Sequence, residues 1–188
     1  MVKAKKLESC VAQVSVVLRK REKAQDALLA LSRETVRGCA VAIKTLHAGD
    51  KKQADKDMVK VAALVKKARA AGDAMQYVAS QSYQEFCEAR VLLAVMEDKE
   101  IPSYEELGIP FEPYLLGLMD VVGEFRREML EELKRGSKAG AERYFEAMNA
   151  VYEATLPLKF SNSILPGFRR KQDVARMQLE SARSELLR

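Results

Sequence analysis

The chain has 188 residues, of which 48% are hydrophobic and 31% are charged, and its net charge is +5. This length and composition exclude an intrinsically disordered chain and predict one domain, residues 1–188, with a substantial core. The single histidine excludes His-pair acid–base chemistry, and the three cysteines match no zinc motif and are expected to be reduced and buried. The lack of a long apolar run and of a secretory signal predicts a cytoplasmic protein outside the membrane.

Helical periodicity dominates the first part of the chain. Apolar residues recur every three or four positions from about Leu7 to His47, a stretch without proline, which predicts one very long helix. A helix of that length is typical of a bundle whose helices also pack against other subunits.

Further helical segments follow in chain order. Turns at Gly49 and Gly72 open the second and third, Ser103 can cap a short helical turn, and Pro113 stands at a first-turn position, where its missing N–H costs nothing. The predicted segments are 53–70, 73–96, 103–106, 113–134, 139–155 and 168–188. Strand-like alternation and internal repeats are absent from the sequence, so the predicted fold class is all-α, a single-domain bundle of about six or seven helices.

Charge is distributed unevenly along the chain. Residues 1–70 carry 17 basic and 7 acidic residues, whereas residues 85–153 carry 8 basic and 16 acidic residues. A basic front beside a carboxylate-rich middle favours a surface that binds a polyanion such as nucleic acid. Solvated faces of amphipathic helices explain the same charges, and charge alone leaves both interpretations open.

Two pairs of acidic residues are the strongest candidates for chemistry. Glu85 and Glu88 share one face of the third helix, and Asp120 and Glu124 share one face of the helix predicted at 113–134. Asp120 lies in an otherwise apolar stretch, and a buried carboxylate needs a partner or a metal. If the two helices pack together, four carboxylates meet, and Mg²⁺ or Mn²⁺ prefers such oxygen ligands. The alternative is that these acids form salt bridges at helix contacts.

Two segments resemble the signature segments of the translin superfamily, and most closely those of its translin-associated factor X (Trax) branch. They are Tyr83-Gln-Glu-Phe-Cys-Glu-Ala89 and Tyr114-Leu-Leu-Gly-Leu-Met-Asp-Val-Val-Gly-Glu-Phe-Arg-Arg127. The first-helix pattern around Ser32 and His47 and the segment 171–186 extend the similarity over nearly the whole chain. Without the long termini and acidic insertion of larger Trax proteins, the chain is similar to a compact, archaeal-type form.

The resemblance implies a seven-helix protomer, a hollow homo-octameric barrel and a Mg²⁺- or Mn²⁺-dependent endoribonuclease centre that faces the cavity. It implies that Glu85, Glu88 and Asp120 are catalytic and that they hold the metal together with Glu124, either as a fourth ligand or as a residue that orients the others. RNA contacts are expected at Arg33, Arg37 and Arg127. The expected partner is RNA, single-stranded or small and structured, with single-stranded DNA as a further ligand.

Three functions are therefore compatible with the sequence. The leading hypothesis is metal-dependent hydrolysis of RNA phosphodiester bonds inside an oligomer. The alternative is a non-catalytic, translin-type protein that binds single-stranded RNA or DNA. The third is a structural helical bundle whose charges are only solvated.

Overall fold

The computed structural model describes residues 4–187, with the side chains of all but Asp73 and Ala74. Within these residues the chain forms seven α-helices, a 3₁₀ segment and no strand, so the all-α prediction is confirmed. The helices are α1 (Lys5–His47), α2 (Lys51–Arg69), α3 (Ser80–Met96), α4 (Tyr104–Leu107), α5 (Phe111–Lys134), α6 (Lys138–Thr155) and α7 (Phe168–Leu186), and the 3₁₀ segment is Asp73–Ala79.

Local sequence signals place most helix ends correctly. Ser103 and Glu106 form the expected capping box of α4, in which each side chain bonds the backbone N–H of the other residue. Pro113 lies in the first turn of α5 as predicted. The prediction is wrong for the start of the third helix, because a 3₁₀ segment precedes α3 there.

The 3₁₀ segment is held by a tertiary contact that the local sequence does not reveal. The buried Gln76 side chain donates to the Gly72 carbonyl at 2.8 Å and accepts a hydrogen bond from the Tyr83 hydroxyl at 2.5 Å. These bonds satisfy the carbonyl of Gly72, in the turn after α2, and the hydroxyl of Tyr83 in α3. They therefore stabilise a tighter turn where helical periodicity alone predicts a regular α-helix.

Helix α5 is the central element and packs against α3, α6 and α7. At Gly117 a Cβ atom would lie only 2.7 Å from the Gln84 carbonyl oxygen and 2.8 Å from the Cys87 Cβ, so only glycine allows α3 and α5 to cross this closely. The crossing sets the acidic residues of the two helices beside each other. Gly123 is less constrained, because a Cβ there would meet only the flexible Gln178 side chain.

Among residues 4–187, the first half of α1 is not buried against any other helix. Buried residues of α1 begin at Leu28 and recur with the alternating spacing of a coiled-coil seam, at positions 28, 32, 35, 39, 42 and 46. The same spacing projects back through the polar Gln25 and Arg21 onto four apolar residues, each at least 50% exposed: Leu7, Val11, Val14 and Leu18. The seam is therefore buried over residues 28–46, interrupted by two polar residues, and apolar but exposed over residues 7–18.

The cysteines also differ between the buried and exposed parts of the fold. Cys39 and Cys87 are buried and free, as expected, but the prediction that all three are buried is wrong for Cys10, which lies in the open half of α1.

Among residues 4–187, no helix combines the length and the apolar character needed to cross a membrane.

Candidate functional site

Acidic residues of α3 and α5 line one cleft, as predicted from their spacing. The cleft has a volume of about 510 Å³ and is lined by Glu85 and Glu88 of α3, Asp120 of α5 and the first turns of α7. The N-terminal part of α7 contributes two cations, Arg170 and Lys171, that the sequence analysis did not single out. Three carboxylates and two basic side chains thus face the same space.

Glu88 carries the clearest electrostatic signature of the cleft. Burial, followed by the negative charges of Glu85, Asp120 and Glu124, raises the pKa of Glu88 to about 8, and Lys171 opposes the shift. Within the described residues, no hydrogen bond or ion pair holds the Glu88 carboxylate. The fold therefore concentrates negative charge that its own cations neutralise only in part.

Asp120 is bound by a cation from a distant part of the chain. The Lys171 ammonium forms an ion pair with an Asp120 carboxylate oxygen and donates a second hydrogen bond to Gln84 Oε1 at 3.0 Å. Glu85 instead accepts a hydrogen bond from the Gln81 side chain at 2.8 Å on its own helix. Within residues 4–187, Asp120 is the one acid of the three that is paired with a cation.

Glu124 is held by the single histidine of the chain. His47, the last residue of α1, donates from Nε2 to Glu124 at 2.7 Å and from Nδ1 to Glu128 at 2.5 Å. The hydrogen bonds to Glu124 and then to Glu128 raise the pKa of His47 to about 9, so the imidazole is protonated at pH 7. His47 in turn lowers the pKa of Glu124. One oxygen of Glu124 is thus bonded to His47.

The carboxylates of the cleft are of the chemical type that a hard divalent cation binds, but their side chains do not converge on one point. Mg²⁺ and Mn²⁺ bind carboxylate oxygens and keep several waters, and Glu85, Glu88 and Asp120 offer such oxygens in the lining of one cleft. In the described part of the chain, however, no three acidic, histidine or cysteine side chains converge as a metal site. The Lys171 ammonium is bonded to Asp120 instead.

The three predicted RNA-contacting arginines are exposed but lie outside the cleft. Arg33 and Arg37 are one turn apart on α1, and about four helical turns, roughly 21 Å, separate Arg33 from His47. Arg127 lies closer, with its guanidinium 3.9 Å from Glu124. Arg170 is the exposed arginine that lines the cleft itself, and the only signal for it in the sequence is its position beside Lys171.

Solved structures with the same arrangement of helices are C3PO structures. AfC3PO in a complex with duplex RNA is 28% identical, with a TM-score of 0.85, and AfC3PO in another crystal structure is 29% identical, with a TM-score of 0.84. In both cases the similarity covers 97% of this chain and 95% of the other.

Sequence comparison agrees with the fold. An uncharacterized protein of Methanocaldococcus jannaschii, MJ0175, is 36% identical over 174 residues, which are 90% of this chain and 78% of that protein. The model of the Translin family matches residues 6–182. The chain belongs to the translin family, as the two signature segments predicted.

Proposed function

We propose that this protein is a metal-dependent endoribonuclease that binds RNA and cleaves its phosphodiester bonds. The observation that carries the proposal is the cleft in which Glu85, Glu88 and Asp120 face the cations Arg170 and Lys171. Carboxylates that attract a divalent cation beside basic groups that attract a phosphate are the components of metal-assisted phosphodiester hydrolysis. The similarity to AfC3PO, solved with duplex RNA, supports RNA as the ligand.

The charged residues in and around the cleft divide into metal-holding acids and RNA-attracting arginines in this proposal. Glu85, Glu88 and Asp120 would hold Mg²⁺ or Mn²⁺, which when bound supplies Lewis-acid stabilisation of the phosphoryl oxygens and activates water. Glu124, kept ionised by His47, maintains the negative potential of the cleft. Arg170 and Arg127 attract the RNA backbone, and Arg33 and Arg37 extend this basic path along α1.

The direct test is RNA cleavage by the purified protein with Mg²⁺, Mn²⁺ or EDTA, on matched single-stranded and duplex RNA. We expect cleavage with either ion, none in EDTA, and full recovery when the ion is restored. RNA binding in EDTA should persist and weaken steeply with salt, because phosphate contacts release counterions.

The outcomes separate the three hypotheses. Cleavage that EDTA does not stop would contradict the metal site. Salt-sensitive binding of RNA or single-stranded DNA without cleavage under any divalent ion would identify the non-catalytic, translin-type protein. If neither binding nor cleavage occurs at low ionic strength, the charges are only solvated and the structural bundle is the correct interpretation.

We further propose that the chain assembles as a homo-octamer, in the cytoplasm, with the open half of α1 at an interface between copies. The open positions of the seam, Leu7, Val11, Val14 and Leu18, continue the spacing that is buried against α2 and α3 further along α1. An apolar stripe of this regularity is stabilised by another helix rather than by water. The free, buried Cys39 and Cys87 are compatible with a reducing compartment.

Replacing Val14 with Glu should disrupt this assembly, because it places a charge in the middle of the seam. Val16→Glu is the matched control, since Val16 is 56% exposed but lies on the opposite side of α1 from Val14. Light scattering coupled to size exclusion should give the wild type and Val16→Glu about eight times the 21.1 kDa of one chain, and Val14→Glu a smaller mass. An unchanged mass for Val14→Glu would contradict the proposed interface.

A further inference from the structure

Lys171 occupies the centre of the acidic cleft and connects three helices. It lies in the first turn of α7, and its ammonium bonds Asp120 of α5 and Gln84 of α3. In the described part of the chain, no other cation forms an ion pair with Glu85, Glu88 or Asp120. One ammonium thus balances part of the charge of three carboxylates.

The position of Lys171 conflicts with a metal ion on the same acids. A divalent cation that binds Asp120 must share or take the oxygens to which the ammonium now bonds, and two cations on one carboxylate repel each other. Asp120 has a short side chain and lies on α5 within one turn of the close crossing with α3 at Gly117. Lysine, by contrast, has a flexible four-carbon stem, so the Lys171 ammonium is the group that can move.

We propose that Lys171 is an exchangeable counter-ion, which neutralises Asp120 while the divalent cation is absent and pairs with an RNA phosphate once that cation displaces it. This inference rests on the metal site of the proposed function. Arg170 lines the same cleft one residue earlier, so the displaced ammonium and the Arg170 guanidinium face an incoming phosphate together. Lys171 therefore opposes metal binding and favours RNA binding.

The first arm of the test measures Mn²⁺ binding without RNA, by titration calorimetry. Lys171→Met should bind Mn²⁺ at least five-fold more tightly than the wild type, because no ammonium competes for Asp120. Lys171→Arg, which keeps the charge, should stay close to the wild type. Arg176→Met is the matched control on the same helix, since Arg176 is 56% exposed and contacts only Asp173 among the ion pairs of α7; it should have no effect.

The second arm measures RNA affinity with and without a cation in the cleft. In EDTA, Lys171 is paired with Asp120, so the wild type and Lys171→Met should bind RNA equally. In Ca²⁺, which also takes oxygen ligands, the wild type should bind at least five-fold more tightly than Lys171→Met. A purely structural role for Lys171 would weaken RNA binding equally in both conditions.

The arms distinguish failure of this inference from failure of the proposed function. If the wild type cleaves RNA with Mn²⁺ but Lys171→Met binds Mn²⁺ no more tightly, the counter-ion role of Lys171 is wrong and the proposed nuclease activity is supported. The opposite result is that Lys171→Met binds Mn²⁺ more tightly and loses RNA affinity in Ca²⁺, while the wild type does not cleave RNA. In that case the counter-ion role is supported and the proposed nuclease activity is wrong. A wild type that binds no divalent cation overturns both.

Discussion

Glu88→Gln and Asp120→Asn should each lower the rate of RNA cleavage in Mg²⁺ at least about 1,000-fold, which corresponds to about 4 kcal/mol of activation free energy. Both substitutions keep the size and polarity of the side chain but remove the charge that attracts the divalent cation. RNA affinity in EDTA should remain equal to that of the wild type or rise slightly, because each variant loses a negative charge near the phosphate. Single-turnover cleavage and filter binding measure the two quantities separately.

Glu131→Gln is the matched control for these variants. Glu131 lies on α5 like Asp120, but it pairs with Lys134 at 2.6 Å outside the cleft, so its loss should leave the cleavage rate unchanged. If Glu88→Gln and Asp120→Asn also cleave at the rate of the wild type, the catalytic assignment is wrong.

Glu88→Gln should also raise the stability of the metal-free protein, although it lowers the rate of RNA cleavage. The folded state raises the pKa of Glu88 from 4.5 to about 8. The contribution of this carboxyl group to the free energy of unfolding is therefore fully present below pH 4.5 and is lost as the pH rises through 8. Above pH 8 the wild type thus carries an ionised, largely buried carboxylate among other acids. Denaturant unfolding in EDTA at pH 8.5 should show that Glu88→Gln is more stable than the wild type and less active.

His47→Leu should lower the free energy of unfolding by about 3–5 kcal/mol at pH 7, because it leaves the buried Glu128 carboxylate without a partner. The Glu128 side chain is only 4% exposed and that of His47 only 10%, so water replaces little of the lost hydrogen bond. The double variant His47→Leu/Glu128→Met, which removes the pair together, should recover most of this loss. Denaturant unfolding of both variants measures the difference, and equal losses would show that helix packing rather than the uncompensated charge is responsible.

The same pair makes stability depend on pH in a defined direction. The folded state raises the pKa of His47 from 6.5 to about 9. The contribution of His47 to the free energy of unfolding is therefore fully present below pH 6.5 and is lost as the pH rises through 9. His47 should account for a loss of about 3 kcal/mol of unfolding free energy over that interval in EDTA. This loss adds to the one that Glu88 causes up to about pH 8, and His47→Leu should lack only the His47 share. A pH profile shared by both proteins would contradict the assignment.

Much of the architecture could be predicted because its signals are local. Helical periodicity, the Ser103 capping box and the position of Pro113 all depend on residues within a few positions of each other. The spacing of Glu85 and Glu88 on one face of a helix is local in the same sense. The 3₁₀ segment before α3 was missed because the buried Gln76 side chain, rather than periodicity, determines it.

The partners of the acidic residues could not be predicted in this way. Lys171 bonds Asp120 from 51 positions away, and His47 bonds Glu128 from 81 positions away. Sequence spacing gives no information about such pairs, since they depend on how α1 and α7 are laid against α5. The exposed part of α1 is a similar case, because its apolar pattern is the same whether or not a partner covers it.

Short-range periodicity and contiguous motifs are enough to predict the all-α class, most helix boundaries, the family and the two acidic helix faces. The pairing of the acids emerges only when the helices pack: Glu124 is bonded to His47, Asp120 is bonded to Lys171, and Glu88 has no cation partner among the described residues. This is because the charge state and pairing of a carboxylate depend on burial and on neighbours brought by other helices. The close approach of α3 and α5 at Gly117 creates that environment.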